Sequence, residues 1–509
     1  MELVNADRRG AGVTSDRPSL HIVPEPPRAP TRVCVIGGGI AGLAAAHAVS
    51  RAAEDAEITV LEESSAPGGK LRVSRVAGVP VDEGAEAVQA ARPEAVALAR
   101  DVALDRDIVY PEIFGASLWS RGKLRGMPPT VMGVPTDLRA LTAAGVLPMR
   151  EIMKLPLEYR KPRTRFDNDV SVGAFVESRL GREVVDTLVE PVLGGVYAGR
   201  ADALSLQATV PALFRELQSN RSLLKAAEFT SRGGGRRAGA RQGPVFAGIR
   251  GGVGRLPGAV VADLERNGVT VRTRTAVRSL HRVDDHWRVI VNTPNGQEVL
   301  LAEEIILAVP PHAASDLLSH ICPPAANDLG LMSMSSMATV ALAYPSDSVA
   351  PLTGSGFLVP PKEGRTVKAA NYASSKWDWI AREARTNRGG PGSLVIMRAS
   401  IGRVGEEEAL NVDDRDLVAA THGDLAEAVG VSASPIDYRV TRWHNAIPQY
   451  EVGHVTRVER IRNNIANVGG LEICGAALDG VGVAAVIGSA RFAARQVANR
   501  INQQMAAVG

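Results

Sequence analysis

Gly37-Gly-Gly-Ile-Ala-Gly42 sets glycines at Gly37, Gly39 and Gly42, with Ile40 and Ala41 inside the GxGxxG spacing that suits a bound diphosphate. The first glycine permits a tight turn, the second lets the backbone approach a pyrophosphate, and the third lets a helix pack closely on a sheet. Phosphate oxygens would then meet free N–H groups at the positive end of that helix. Glu62 lies twenty residues beyond Gly42, where a carboxylate can accept hydrogen bonds from both ribose hydroxyls. GxGxxG alone is a weak signal, and the competing reading is a glycine-rich turn without a ligand. Pro67-Gly-Gly-Lys-Leu71, with Gly69 and Lys70, adds a second close-approach glycine pair that a simple nicotinamide enzyme does not need. No HExxH, no GxSxG elbow and no metal-spaced cluster among the nine histidines accompanies these motifs. The expectation is therefore cofactor chemistry with no metal and no side-chain catalytic set.

The elements around the glycines must place them. Arg32-Val-Cys-Val-Ile36 reads as a strand, the Ala-rich stretch Leu43 to Val49 as a helix and Ile58-Thr-Val-Leu61 as a second strand, a βαβ unit. Strand patterns resume at Val269–Thr273, Trp287–Val291 and Glu304–Val309, the last stopped by Pro310-Pro311. Leu471–Cys474, a glycine-rich turn and a helix over Ile487–Ile501 repeat strand, turn, helix near the other end of the chain. The fold class expected is α/β. It comprises a discontinuous Rossmann-like dinucleotide domain (31–92, 246–311, 441–502), an inserted mainly helical domain (93–230) and a mixed α+β substrate-binding domain (312–440). Residues 1–30 read as a polar tail without a signal peptide, and 231–245 as a flexible Gly/Arg loop.

Composition excludes other classes. The 509 residues are 45% hydrophobic and 22% charged, so a disordered or fibrous chain is not expected. A net charge of +3 gives no reason to expect nucleic acid, and only eight of the 58 basic residues are lysine, which looks like coding bias. Cys34, Cys322 and Cys474 lie far apart, so neither disulfides nor zinc are expected and the compartment reads as reducing, hence cytoplasmic. No apolar run reaches the roughly 18 residues of a membrane span. Leu138–Leu157 mixes apolar and basic residues as an interfacial helix would. With Gly145 and Pro148 interrupting it, a core-packed pair of helices is preferred and peripheral membrane contact stays open.

The second glycine pair brings the chain to resemble the FAD-dependent amine-oxidase superfamily. Asp82-Glu-Gly-Ala-Glu86, with Gly84, Ala85 and Glu86, resembles that family's turn beneath the flavin. Thr275-Ala-Val277 resembles its strand whose backbone meets the adenine, with Val277 as the contact, and Ile306–Pro310 its returning strand. Gly475 through Asp479-Gly-Val-Gly-Val483 and Ala484 resembles its C-terminal flavin motif, with Gly475, Gly482, Val483 and Ala484 as contacts. The middle of the chain resembles one branch, the protoporphyrinogen/coproporphyrinogen oxidases, through Gly173–Gly181, Val189–Gly199, Leu204-Ser-Leu206, Gly356–Pro360, Ser374–Trp377, Arg442–Tyr450 and Val452-Gly-His454. Glu83-Gly-Ala85 stands where many bacterial relatives carry Arg-Gly-Pro, and 231–241 is an insertion.

That resemblance implies FAD as cofactor and oxidation of a porphyrinogen to a porphyrin, with O2 reoxidising the flavin to give hydrogen peroxide. Coproporphyrinogen III is favoured over protoporphyrinogen IX, and a ferrochelatase is the implied receiver of the product. Trp443 is read as a wall on the flavin side, Arg92 as a cation for substrate carboxylates or else a solvated surface Arg, and Phe357 and Tyr372 as macrocycle contacts or else ordinary core. His444 and His454 are read as locally satisfied. The alternatives are another activity of the superfamily, amine oxidation or carotenoid desaturation, or a carrier that kept the fold and lost catalysis.

Overall fold

The apolar run 32–36 forms the strand Arg32–Ile36, and the glycines after it turn the chain into the helix Ile40–Ala52. The computed structural model describes residues 30–233, 244–386 and 393–506. The tail expected over 1–30 (apart from Pro30) and most of the Gly/Arg loop expected over 231–245 lie outside the described residues. Five parallel strands stand in the order Thr270–Arg272, Glu57–Leu61, Arg32–Ile36, Glu304–Leu307, Leu471–Ile473. The chain runs to opposite sides from Arg32–Ile36, which makes its carboxyl end a topological switch point, where open α/β sheets bind ligands. The first and last of these strands in sequence feed the helices Ile40–Ala52 and Val483–Ala506, so both helices begin at the same sheet edge. They pack on each other through Leu43, Val49, Val486, Ile487, Ala490 and Val497.

A second sheet has seven strands, in the order Asp437–Pro448, Met334–Pro345, Leu394–Ile401, Val367–Tyr372, Gly356–Leu358, Ser117–Ser120 and Lys123–Gly126. Three of these cross the segments expected from sequence. The hairpin 117–126 comes from the mainly helical stretch, and Asp437–Pro448 runs through the boundary placed at 440/441. Sheet membership is a long-range pairing, which local periodicity does not encode. Alternation along the strands gives this sheet two different faces. One face presents Val340, Leu342, Tyr344 and Met397 to Leu417 and Leu425 of the helix Asp414–Val429. The other presents Ala341, Ala343 and Ile396 to Trp377, Ile380 and the hairpin strands Val73–Val76 and Val79–Asp82.

The helical segment closes around Glu158, which accepts from Arg179 Nε at 2.9 Å, Ser222 Oγ at 2.5 Å and Leu223 N at 2.7 Å. Within it, 138–157 forms the short helices Leu138–Ala144 and Met149–Ile152, which bury Leu141, Val146, Leu147 and Ile152 while Met149, Met153 and Leu157 stay exposed. Among the described residues no helix is long and apolar enough to cross a membrane.

Candidate functional site

The three glycines of the first motif have three different surroundings. Gly37 has φ +109° and a side chain there would meet Ala308 O at 2.6 Å, so the turn requires glycine. At Gly42 a Cβ would collide with Gly37 O, the close helix packing expected. At Gly39 a Cβ would meet nothing within 4 Å, and the helix it opens has no side-chain cap, so the N–H groups of that first turn, over Ile40 and Ala41, face open space. Gly482 and Gly475 also border open space, and Gly482 O accepts the first turn of the helix Val483–Ala506, which carries Ala484, from Val486 N at 3.0 Å. Two helix N-termini and three such glycines at one sheet edge fit a dinucleotide pyrophosphate.

The second glycine pair docks on the first. Gly68 N donates to Gly38 O at 2.8 Å, and a Cβ at Gly69 would lie 3.3 Å from Gly39 Cα. Glu62 receives Gly38 N at 2.8 Å on one oxygen and Ser64 N at 2.9 Å on the other, which fixes the carboxylate with lone pairs to spare for ribose hydroxyls. Thr275 N donates to Glu62 O at 2.8 Å, which brings the start of the strand Ala276–Val283, with Val277, to the same edge.

At the turn Asp82–Glu86, a Cβ at Gly84 would collide with Lys70 O and meet Trp443 Cζ2 at 3.5 Å. Trp443 is 9% exposed, donates from Nε1 to Glu83 O at 3.2 Å and lies under the Arg72 guanidinium at 4.6 Å. Ala85 is exposed, and Glu86 is held by Lys376 Nζ and, at 2.8 Å, by Arg398 Nη1. Arg398 Nη2 donates to Gly84 O at 2.7 Å. Burial alone would raise the Glu86 pKa, but the Lys376 and Arg398 charges outweigh it and hold the carboxyl down to about 2. Glu86, Lys376 and Arg398 thus sum to one net positive charge behind the turn.

The expected substrate residues separate. Arg92 is exposed just before the helix Pro93–Asp101, its guanidinium has no hydrogen-bonded or charged partner among the described residues, and it is near enough to act electrostatically on the buried Tyr197 phenol. Phe357 and Tyr372 do not share the face of Arg398 and Glu86. Both are 1% exposed on the sheet's far face, where Phe357 packs on Trp119 with ring centroids 5.8 Å apart and on Tyr372 at 6.3 Å. Strand alternation turns them away, so core is the correct reading for both. The residues missed around the Glu86 turn are Lys376 and Arg398. A lone Arg inside the apolar strand Leu394–Ile401 was the available signal, since a buried charge requires a partner.

His444 is exposed, whereas His454 is buried, stacks on Tyr450 at 3.8 Å and lies 3.3 Å from Leu478 O. Tyr450 Oη donates to Ala476 O at 2.5 Å and accepts from Gly480 N at 2.7 Å, so this stack holds the loop between Gly475 and Gly482. Burial lowers the His454 pKa to about 4. Its folded pKa lies below the usual 6.5, so the neutral ring's contribution is complete above pH 6.5 and lost as pH falls through 4. We expect the unfolding free-energy difference between wild type and His454→Gln to shrink by about 3 kcal/mol over that interval. Parallel denaturation curves from pH 7 to pH 4 would exclude it.

Residues 40–498 match the flavin containing amine oxidoreductase family. A coproporphyrinogen III oxidase of Mycobacterium bovis is 33% identical over 488 residues, covering 94% of this chain and 99% of that protein. One of Bacillus subtilis is 29% identical over 459 residues, covering 89% and 94%. A crystal structure assigned as a protoporphyrinogen oxidase from Exiguobacterium sp. 255-15 superimposes with a TM-score of 0.79 at 27% identity, covering 92% of this chain and 99% of that one. The chain belongs to the flavin containing amine oxidoreductase family. It is a flavin-dependent oxidoreductase, and its cofactor is FAD.

Proposed function

We propose that this enzyme oxidises coproporphyrinogen III to coproporphyrin III, with O2 as final acceptor and H2O2 as product, in porphyrin biosynthesis. The observation that carries the reading is similarity over nearly the full length of coproporphyrinogen III oxidases, including the middle of the chain. The exposed Arg92 guanidinium, without a partner among the described residues, and the net positive Glu86–Lys376–Arg398 cluster support it, because a substrate with four propionates needs cations around an apolar wall. Protoporphyrinogen IX, with two propionates, is the second reading, favoured by the name given to the Exiguobacterium structure. The proposed setting is the cytoplasm, with the product passing to a ferrochelatase.

FAD bound here would supply the hydride acceptor for a bridging carbon of the macrocycle. In this reading Gly37, Gly39, Ile40, Ala41 and Gly42 bind its pyrophosphate together with Gly482, Val483 and Ala484, and Glu62 its adenosine ribose. Val277 contacts the adenine side, and Gly69, Lys70, Gly84, Ala85, Glu86, Trp443 and Gly475 surround the remainder. Trp443, pinned by Glu83 O and Arg72, excludes water from one side, and Arg92 orients a propionate at the rim. Anaerobic mixing of flavin-loaded protein with each porphyrinogen tests the assignment. Rapid bleaching of the flavin by coproporphyrinogen III is expected, followed by porphyrin fluorescence when oxygen is admitted. Flavin that stays oxidised with both substrates overturns it.

A further inference from the structure

Gly356, Asn371, Arg398 and Ala341 stand opposite one another across four neighbouring strands. Opposed residues share a face, and here it is the face turned toward Gly84 and Glu86, because Arg398 bonds to both. The helix Glu190–Tyr197 packs against two of these strands, Gly356–Leu358 and Val367–Tyr372, with Gly195 beside Leu358 Cδ2. Asn371 therefore lies between that helix and the flavin-side turn. Two of its surroundings' polar atoms stand out chemically. Asn371 Oδ1 and Arg398 Nε are both buried without a hydrogen-bond partner among the described residues. Folded proteins rarely leave such atoms unpaired, and where they do a ligand or a catalytic use is a common reason.

One atom is an acceptor and its neighbour a donor. A carotenoid would satisfy neither. A porphyrinogen offers pyrrole N–H donors and propionate acceptors on one molecule. Its bridging carbons are tetrahedral, so an N–H can turn out of the mean plane toward an acceptor above it. In the aromatic porphyrin the remaining N–H groups point into the centre of a flat ring. We propose that Asn371 Oδ1 accepts a hydrogen bond from a pyrrole N–H of the porphyrinogen, beside an Arg398 Nε that faces a carboxylate of the same molecule. The contact orients the reduced macrocycle and is lost when oxidation flattens it, which separates substrate from product. This rests on the porphyrinogen reading above.

The test uses flavin-loaded Asn371→Leu, branched at Cγ with the same number of heavy atoms but without an acceptor, and Asn371→Asp, which keeps one. For Asn371→Leu the KM for coproporphyrinogen III is expected to rise at least tenfold, with kcat within threefold of wild type. Affinity for coproporphyrin III, read from the shift of its Soret band on titration, should stay within twofold. The melting temperature and flavin spectrum should not fall, because Oδ1 makes no hydrogen bond among the described residues. Asn371→Asp should recover most of the KM. Unchanged kinetics in Asn371→Leu, equal weakening of substrate and product, or loss of folding or flavin would each overturn the proposal. Wild-type protein that oxidises neither porphyrinogen would instead remove the functional reading beneath it.

Discussion

Gly39→Val protein is expected to fold, to melt at the temperature of the flavin-free wild type, and to hold no FAD. Gly39 has φ −70° and ψ 175°, extended backbone that a β-branched residue adopts readily, and its Cβ would enter open space. The added methyls would occupy the volume into which the first-turn N–H groups of the helix Ile40–Ala52 point, so they would displace a pyrophosphate without disturbing the core. An affinity loss of at least roughly 100-fold, about 2.7 kcal/mol, is expected. Visible absorbance of bound flavin after reconstitution, with thermal melts of both apoproteins, measures it. Gly42→Val is the contrast, because its Cβ would collide with Gly37 O and the chain should fail to fold. If Gly39→Val binds FAD as wild type does, the pyrophosphate does not lie at Gly37–Gly42.

These glycines were legible because their requirement is local: a turn, an approach and a close packing, all within six residues of a strand end. Glu62 was legible because the length of one βαβ unit sets its distance from the turn. Phe357 and Tyr372 were misplaced for the opposite reason. Membership of a motif says which strand a residue belongs to, but the face depends on register with strands far away in sequence, and a shift of one residue exchanges the faces. The same alternation that buries Tyr372 beside Met397 turns Asn371 to the face of Arg398 and Glu86. Lys376 and Arg398 escaped because their partner, Glu86, is about 300 residues away in sequence, at separations of 290 and 312. The hairpin 117–126 joined the second sheet through a parallel pairing of Ser117 and Leu118 with Phe357 and Leu358 that only the folded chain creates.

Removing the Glu86 carboxylate should cost about 3 kcal/mol of stability at pH 7, because Lys376 and Arg398 would face each other without the charge that separates them. The pH dependence identifies the cause. The folded-state pKa of about 2 lies below the ordinary 4.5, so the contribution is complete above pH 4.5 and disappears as pH falls through 2. The gap between wild type and Glu86→Ala, from urea unfolding, should therefore be widest near neutrality and narrow steadily below pH 4.5. Asp82 works in the opposite sense. Burial pushes its carboxyl up to about 6 against the Gly254 and Val253 N–H groups, so its contribution is complete below pH 3.8 and lost as pH rises through 6. Taking the difference between the two proteins cancels Asp82 except for the small part that Glu86 itself imposes. Glu86→Ala combined with Lys376→Met should regain some of the loss, since the second change removes one of the two opposed cations. A gap that stays constant from pH 7 to pH 3 would mean that Glu86 acts through packing alone, and the charge balance assigned to this cluster would have to be abandoned.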